Sequence, residues 1–493
     1  MDSLPVLVIG GGIGGLTLAH GLRHAGVPVR VFEKTHERSD WLQGYRIHIN
    51  PAGARALRDC LPPAGWTAFT RAVSPGGGFG FLTDQGTDLL GLAEDEINTP
   101  GAGPADRHHG IGRIQLRTVL LEGLDLETGK TFISYEEEPD AVVAHFADGS
   151  SARGSALVGA DGANSRVRAQ LIPAAAARID TGVLTIAGRC LSPSGVSPSG
   201  ASPSGASPSG ASPSGVSPSG ASPVDESSVG ALPVGTFMAG DSPGLAAAEL
   251  PPSLLTRANV VIPRGRGSLF TAAWTSPDGD QVLWGYSDAT ARFPADVEQL
   301  APDALLSLVR DRLRGWAPEF HRLIANSDPA TVNAFRVKSA TPVSPAPVSP
   351  APVAAVPVRK APHPPGEGVG STLLASATGV PELSTGRVTL LGDAVHSMTP
   401  MAGVGANTAL RDADLLRRKL SAAHAGEMPL LAAVEQYERE MLDYGFAAVR
   451  LSLRNARQAA HSTVISRALF RAVLRVIAAV PPARRRFARG LGD

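Results

Sequence analysis

Three short segments of this 493-residue chain combine glycine with small or acidic residues in a way that could hold a phosphorylated cofactor: Gly10-Gly11-Gly12-Ile13-Gly14-Gly15, Gly159-Ala160-Asp161-Gly162 and Gly392-Asp393-Ala394. The first follows the aliphatic run Val6-Leu7-Val8-Ile9 and precedes Leu16, Ala19 and Leu22 at helical spacing, which predicts strand, tight turn and helix. Gly10 allows the turn, Gly12 lets the backbone approach a pyrophosphate, and Gly15 lets helix and strand pack closely. The helix N-terminus, which includes Ile13 and Gly14, offers N–H groups to the phosphates. A second run, Val29-Arg30-Val31-Phe32, follows Gly26, which marks the helix end, and closes with Glu33 and Lys34. An acid at Glu33 suits a ribose with a free 2′-hydroxyl, as in FAD or NAD, and disfavours NADP at this position.

The middle and late segments repeat this grammar. From Ala141 apolar residues alternate, Asp148-Gly149 turns the chain, and Ala156-Leu157-Val158 runs as a strand into Gly159-Ala160-Asp161-Gly162. Asp-Gly after a strand is, taken singly, an ordinary turn. Val388-Thr389-Leu390-Leu391 predicts a buried strand, with Gly392-Asp393 at its C-terminal end, where open α/β sheets bind ligands. Pro400 to Asn407 then leads into a helix marked by Leu410, Leu415 and Leu416, with Asn407 or Thr408 as its expected cap. Such a helix N-terminus would stabilise negative charge on a ring held in front of it.

Together the three motifs resemble those of the single-component FAD monooxygenases, the aromatic hydroxylases similar to para-hydroxybenzoate hydroxylase. The resemblance implies an α/β fold: a Rossmann-like FAD-binding domain, an interleaved β-sheet substrate domain and C-terminal helices. It implies FAD contacts from Gly10, Gly12, Ile13, Gly14, Gly15, Glu33 and Lys34, and from Asp161 and Gly162 with Ser165 and Arg166 nearby. Gly392 and Asp393 would meet the flavin ribose, Pro400, Gly403, Gly405, Ala406 and Asn407 the ring, and Arg113 the ribityl and phosphate groups. Arg46, within Gln43-Gly44-Tyr45-Arg46-Ile47-His48-Ile49, falls where the family brings a segment against the cofactor. The expected layout is an FAD-binding domain over 1–180 with 381–420, including part of the substrate sheet near 70–110. A substrate domain over 181–380 and a helical region over 421–493 complete it.

Composition narrows the alternatives. Lys plus Arg and Asp plus Glu are both 45, so no overall field favours nucleic acid. Cys60 and Cys190 are too few for a disulfide framework or a structural zinc site, and no metal site is expected. The glycine-filled run Leu4 to Ala19 lacks a basic leader, and no stretch is long and apolar enough to span a bilayer, so a cytoplasmic location is expected.

The 55 glycines and 41 prolines gather partly in two tracts. Ser192 to Ala221 repeats Ser-Pro-Ser-Gly with Val or Ala and has almost nothing to bury; Thr341 to Gly370 alternates Pro with Val and Ala. These predict disordered inserts over 192–223 and 341–370. Leu269–Trp274 and Gln281–Tyr286 flank Pro277-Asp278-Gly279-Asp280 as a hairpin, with Trp274, Trp284 and Tyr286 read as core in preference to a substrate pocket. His48 and His396 read as structural histidines, and no acid–base pair is assigned. Near the C-terminus, Leu469, Val473, Val476 and Val480 form one helical stripe and Arg467, Arg471 and Arg475 another. Packing against the second domain is the expected use of this helix, and membrane contact the alternative.

The resulting expectation is an FAD-dependent monooxygenase of EC 1.14 type. It would use NAD(P)H as a transient cosubstrate, since there is no second glycine fingerprint, and O2. It would hydroxylate or epoxidise an aromatic or polyketide-like molecule of secondary metabolism through a flavin C4a-hydroperoxide, as a monomer or homodimer. A flavin-dependent reductase of the same fold and a non-catalytic flavoprotein scaffold are the competing readings.

Overall fold

The computed structural model describes residues 4–35, 46–75, 77–98, 101–173, 177–191, 250–276, 279–341 and 386–490. Residues 43–45, both expected inserts apart from Thr341, and the hairpin tip Pro277-Asp278 lie outside them.

A five-stranded parallel sheet carries the three motifs. Its strands are β1 (Val6–Ile9), β2 (Val29–Phe32), β8 (Leu126–Glu127), β12 (Ala156–Gly159) and β18 (Val388–Leu390), in the order β18-β12-β1-β2-β8. The run Val388 to Leu391 thus ends as a strand one residue early. β1 is buried at every position, as a parallel strand covered on both faces must be. The chain goes from β1 to β2 on one side, and β12 later pairs on the other, so the sheet has its topological switch between β1 and β12. Ile9 pairs with Gly159 and Gly159 with Leu390, so three strand ends lie level.

Helix α1 (Ile13–His24) links β1 to β2 and buries Leu16, Ala19 and Leu22 completely. It ends as expected: Gly26 has φ +74°, just past the cap Ala25, and its N–H donates to the Arg23 carbonyl. At the start, Gly10 adopts φ +115°. A Cβ on Gly15 would lie 2.2 Å from the Gly10 carbonyl oxygen and 3.2 Å from Val8 Cγ1. Only glycine lets α1 sit this close to β1.

A second sheet of seven strands is mainly antiparallel. It consists of β5 (Gly78–Leu82), β6 (Asp88–Leu92), β13 (Ile179–Leu191), β14 (Arg257–Val261), β15 (Ser268–Ser276), β16 (Gly279–Ala289) and β17 (Asn333–Ser339), in the order β17-β13-β16-β15-β14-β5-β6. The expected hairpin is present, with Trp274 paired to Gln281. Trp284 and Tyr286 are core residues, and the Trp284 indole N–H donates to Ser327 Oγ at 2.7 Å. Helices α5 (Pro302–Arg312) and α6 (Pro318–Ala325) cover this core with Leu305, Val309, Phe320 and Leu323.

Two three-stranded sheets complete the strands among the described residues. β9 (Phe132–Glu137), β10 (Val142–Phe146) and β11 (Ser151–Gly154) form an antiparallel layer leading into β12, after which comes the short helix α4 (Arg166–Leu171). β3 (Arg46–Ile49), β4 (Ser74–Pro75) and β7 (His109–Gly112) form the other, in the order β3-β7-β4. Helix α2 (Pro51–Cys60) follows β3, and helix α3 (Arg113–Leu121) follows β7 directly. After β18 come α7 (Gly405–His424) and the 32-residue α8 (Leu430–His461), then α9 (Val464–Ala479) and α10 (Pro481–Gly490). Helix α9 packs beside β6, but with the opposite face to the one its pattern suggests. Arg467 and Arg471 are buried, while Ile465, Leu469, Val473 and Val476 are exposed. The arginines turn inward because carbonyls await them: Arg467 donates to Gly267 O and Ala459 O, and Arg471 to Ile262 O while pairing with Asp84.

Gly15→Ala is expected to destabilise the protein by about 1–3 kcal/mol, the usual cost of forcing atoms into a filled contact. A lowered midpoint in chemical denaturation, compared with wild type, is the measurement that checks it.

Candidate cofactor site

The three glycine-bearing loops meet at the C-terminal ends of β1, β12 and β18. Ala160 N donates to the Ile9 carbonyl at 2.8 Å and Leu391 N to the Gly159 carbonyl at 3.0 Å, so each loop leaves its strand beside the next. Positions for missing Cβ atoms show how tightly they converge. One on Gly10 would fall 2.4 Å from the Ala160 carbonyl oxygen, and one on Gly14 2.6 Å from Leu391 Cδ1. Ala409, one turn into α7, touches the Cβ positions of both Gly14 and Gly392. Strand pairing and two helix starts therefore place Gly10–Gly15, Asp161–Gly162, Gly392–Asp393 and Gly405–Asn407 around one crevice.

Several groups at this crevice fit an anionic, hydroxyl-rich ligand. A Cβ on Gly12 would meet no atom of the described residues within 4 Å, and the same holds for Gly162 and Gly403. Among the described residues, neither α1, capped by Gly12, nor α7, capped by Val404, has a side-chain hydrogen bond at its cap, so their leading N–H groups are left to outside acceptors. Asp161 uses Oδ2 to accept from Arg166 N at 2.7 Å and Val167 N at 3.3 Å, whereas Oδ1 is buried and has no partner among the described residues. Protein surrounds the Asp393 carboxyl closely enough to raise its pKa by desolvation, yet the side chain keeps accessible surface. Both facts fit a group lining a deep recess. His396, Arg113, Arg178 and Arg168 oppose that rise.

Glu33 stands at the mouth of the first glycine turn. Its Oε2 accepts from Gly11 N at 2.9 Å, and Oε1 from Thr35 N at 3.0 Å and Thr35 Oγ1 at 2.8 Å. Arg117 donates to the Gly11 carbonyl at 2.8 Å and lies 3.5 Å from Glu33 Oε2. A ribose hydroxyl would share Oε2 with that long ion pair or displace the Thr35 hydroxyl. Lys34 is exposed next to it. Arg113, the first residue of α3, is exposed and close enough to be felt by Asp393 and Arg117.

Asn407 does not cap α7. The helix begins two residues earlier, and Asn407 instead welds it to β3: Nδ2 donates to the His48 carbonyl at 2.8 Å and Oδ1 accepts from Asn50 N at 2.9 Å. Thr408 donates its hydroxyl to the Val404 carbonyl. Arg46 lies across Gly110 of β7, with burial lowering its pKa to about 10 and Glu94 opposing. His48 Nε2 and His108 Nδ1 are 2.8 Å apart, and burial first, then His108 and Arg46, lower the His48 pKa to about 3, so the ring is neutral.

Sequence reasoning missed the residues that pin the loops. Arg168 is buried and donates to the carbonyls of Ala163 and Ala394, at 2.8 and 2.7 Å, tying the middle loop to the late one. Asp412 on α7 is fully buried: Oδ2 accepts from Gly392 N and lies 2.7 Å from His396 Nε2, and Oδ1 accepts from Tyr444 OH at 2.6 Å. The one available signal for Arg117 is its position one helical turn after Arg113. Nothing in the spacing singles out Arg168 or Asp412.

The His396–Asp412 pair makes stability depend on pH. Burial alone disfavours a charged ring, but the Asp412 carboxylate and its hydrogen bond outweigh it and raise the His396 pKa above 6.5. A raised folded-state pKa means the contribution is complete below the unfolded value and disappears as pH climbs through the folded one. Thermal midpoints measured across that window should fall for wild type and stay flatter for His396→Gln. Asp412→Asn should cost about 3–5 kcal/mol in chemical denaturation below the folded-state pKa, since it strands a buried cation.

Comparison with known proteins agrees with this arrangement. An FAD binding domain family matches residues 371–452, and an NAD(P)-binding Rossmann-like domain family matches residues 8–55. An FAD containing monooxygenase from Photorhabdus luminescens superposes with a TM-score of 0.67 at 30% identity, over 94% of this chain and 100% of that one. A dual O-methyltransferase/FAD-dependent monooxygenase of Phaeosphaeria nodorum is 30% identical over 84% of this chain and 40% of its own length. The aurachin C monooxygenase/isomerase of Stigmatella aurantiaca is 25% identical over 88% of this chain and 84% of its own. The chain spans less than half the length of the dual-function relatives it matches. With three motif loops converging on one crevice and a relative aligned along its entire length, the chain belongs to the FAD-dependent monooxygenases of the para-hydroxybenzoate hydroxylase type.

Proposed function

We propose that this chain is an NAD(P)H- and O2-dependent monooxygenase that hydroxylates or epoxidises an aromatic or polyketide-like small molecule. The observation that carries this reading is the level ending of β1, β12 and β18, which brings three acid- or glycine-bearing loops to one crevice. The named monooxygenase activities of the relatives support it. When bound, FAD supplies the hydride acceptance and oxygen activation that side chains cannot.

The residues divide the work of holding it. The Gly10–Gly15 turn and the start of α1 take the pyrophosphate, and Glu33 with Lys34 beside it takes the adenosine end. Asp161, Gly162, Gly392, Asp393 and Arg113 take the ribityl and phosphate groups. Pro400, Gly403, Gly405, Ala406 and Asn407 present the uncapped N-terminus of α7 to the flavin ring, where its dipole stabilises negative charge. Arg46, on the adjoining β3, closes the side held by Asn407. The five-stranded sheet with its covering helices serves as the cofactor domain and the seven-stranded sheet as the substrate domain. NAD(P)H visits without a dedicated fingerprint. A recess of about 320 Å³ lined by Asn164, Arg168, Arg178 and Lys338 offers its phosphates positive charge.

Purified protein should retain FAD, and a panel of phenols and polyketides should contain compounds that couple NAD(P)H oxidation to oxygen uptake and an oxygenated product. Hydride transfer to substrate without oxygen uptake would identify a reductase instead, and a flavoprotein that turns over no member of the panel would favour the scaffold. Gly12→Ala separates cofactor contact from folding. Its Cβ meets no atom of the described residues and its φ of −82° is allowed, so unfolding of the cofactor-free protein should be unchanged. FAD affinity should fall about tenfold or more, corresponding to about 1.4 kcal/mol per decade. Equal FAD affinity in titration would remove Gly12 from the site.

A further inference from the structure

Helix α9 presents to the outside the face that a packed helix normally hides. Ile465, Leu469, Val473, Val476 and Val480 follow one another at intervals of three or four residues, and Ile465 is 81% exposed, Leu469 66% and Val476 61%. The helix is anchored from its other side. Leu474 is fully buried, and Arg467 and Arg471 reach inward to backbone carbonyls and to Asp84. The exposed aliphatic side chains are therefore held on a fixed scaffold rather than on a loose end.

Charge indicates what covers this face. Residues 444–490 contain ten arginines and neither aspartate nor glutamate, although the chain as a whole is neutral. Arg475 on α9 and Arg485 and Arg486 on α10 are exposed and form no ion pair among the described residues. The adjoining helix Glu94–Ile97 brings acids nearby, of which Glu96 already pairs with Arg484. A second copy of the chain would set arginines against arginines. An anionic lipid surface accepts the aliphatic ridge into its interfacial layer and the arginines at its headgroups. None of the helices among the described residues is long and apolar enough to cross a membrane, so contact would be peripheral.

We propose that α9 and α10 form a docking face for an anionic lipid surface, with Ile465, Leu469, Val473 and Val476 entering the interface and Arg475, Arg485 and Arg486 meeting the phosphates. This stands apart from the reading of the cofactor site and does not depend on it.

The test is co-sedimentation of the full chain with vesicles of phosphatidylcholine alone and of phosphatidylcholine mixed with phosphatidylglycerol, at low and high salt. The bound fraction should require phosphatidylglycerol and decline with salt. It should fall about tenfold in a Leu469→Ser, Val473→Ser, Val476→Ser variant and in an Arg485→Glu, Arg486→Glu variant. Both sets are exposed, and circular dichroism identical to wild type verifies that they fold. Absence of wild-type binding to the mixed vesicles, or equal binding by wild type and both variants, overturns the proposal. So does a sedimentation mass for wild type twice that of the serine variant, which would make a second copy the occupant.

Discussion

The register between β18, β12 and β1 is the constraint on which the rest of the site depends. Parallel strands deliver their C-terminal ends to the same side of a sheet, and these three end level, at Leu390, Gly159 and Ile9. Because the chain leaves β1 in one direction and returns as β12 on the other, the loops diverge and leave a crevice between them. The closeness of α1 to β1 completes this geometry. It is set by a contact at Gly15 that has no room for even one methyl group.

A layer of buried polar groups then converts proximity into fixed position. Arg168 bridges the middle and late loops through two carbonyls, and Asp412 holds the Gly392 amide while engaging His396 and Tyr444. Burying such charges is costly unless they are paired and hydrogen-bonded, and here Arg168 and Asp412 each engage two or more groups. The same economy explains α9, whose inward arginines are satisfied by carbonyls that leucine or valine could not have served. Its aliphatic side is left outside as a consequence. The two sheets thus present different surfaces: the core beneath the seven-stranded sheet is closed by Trp284, Tyr286 and helices α5 and α6, while the crevice at the strand ends of the parallel sheet is lined by glycine backbone and carboxylates.

Much of this was legible from local patterns. Val6 to Gly15, Val29 to Glu33 and Val388 to Asp393 each contain their own strand and turn signals, so their form and their ligand class could be read without neighbours. Trp284 and Tyr286 were likewise readable as core, since large aromatics on a strand seldom stay outside. Asn407 was read as a cap because its type suits one, but the helix starts at Gly405 and its amide bonds β3, more than three hundred residues earlier in the chain. Local preference had no information about that partner.

The sequence alone determined that strand–glycine–acid motifs occur three times, that they suit a dinucleotide, and that the C-terminal helix is amphipathic, because each property resides in residues a few positions apart. Tertiary structure decided that Arg168, Asp412 and Arg117 pin the loops, that His48 meets His108, and which face of α9 turns inward. Those outcomes depend on carbonyls and carboxylates brought close by folding, and no spacing along the chain encodes a partner that distant.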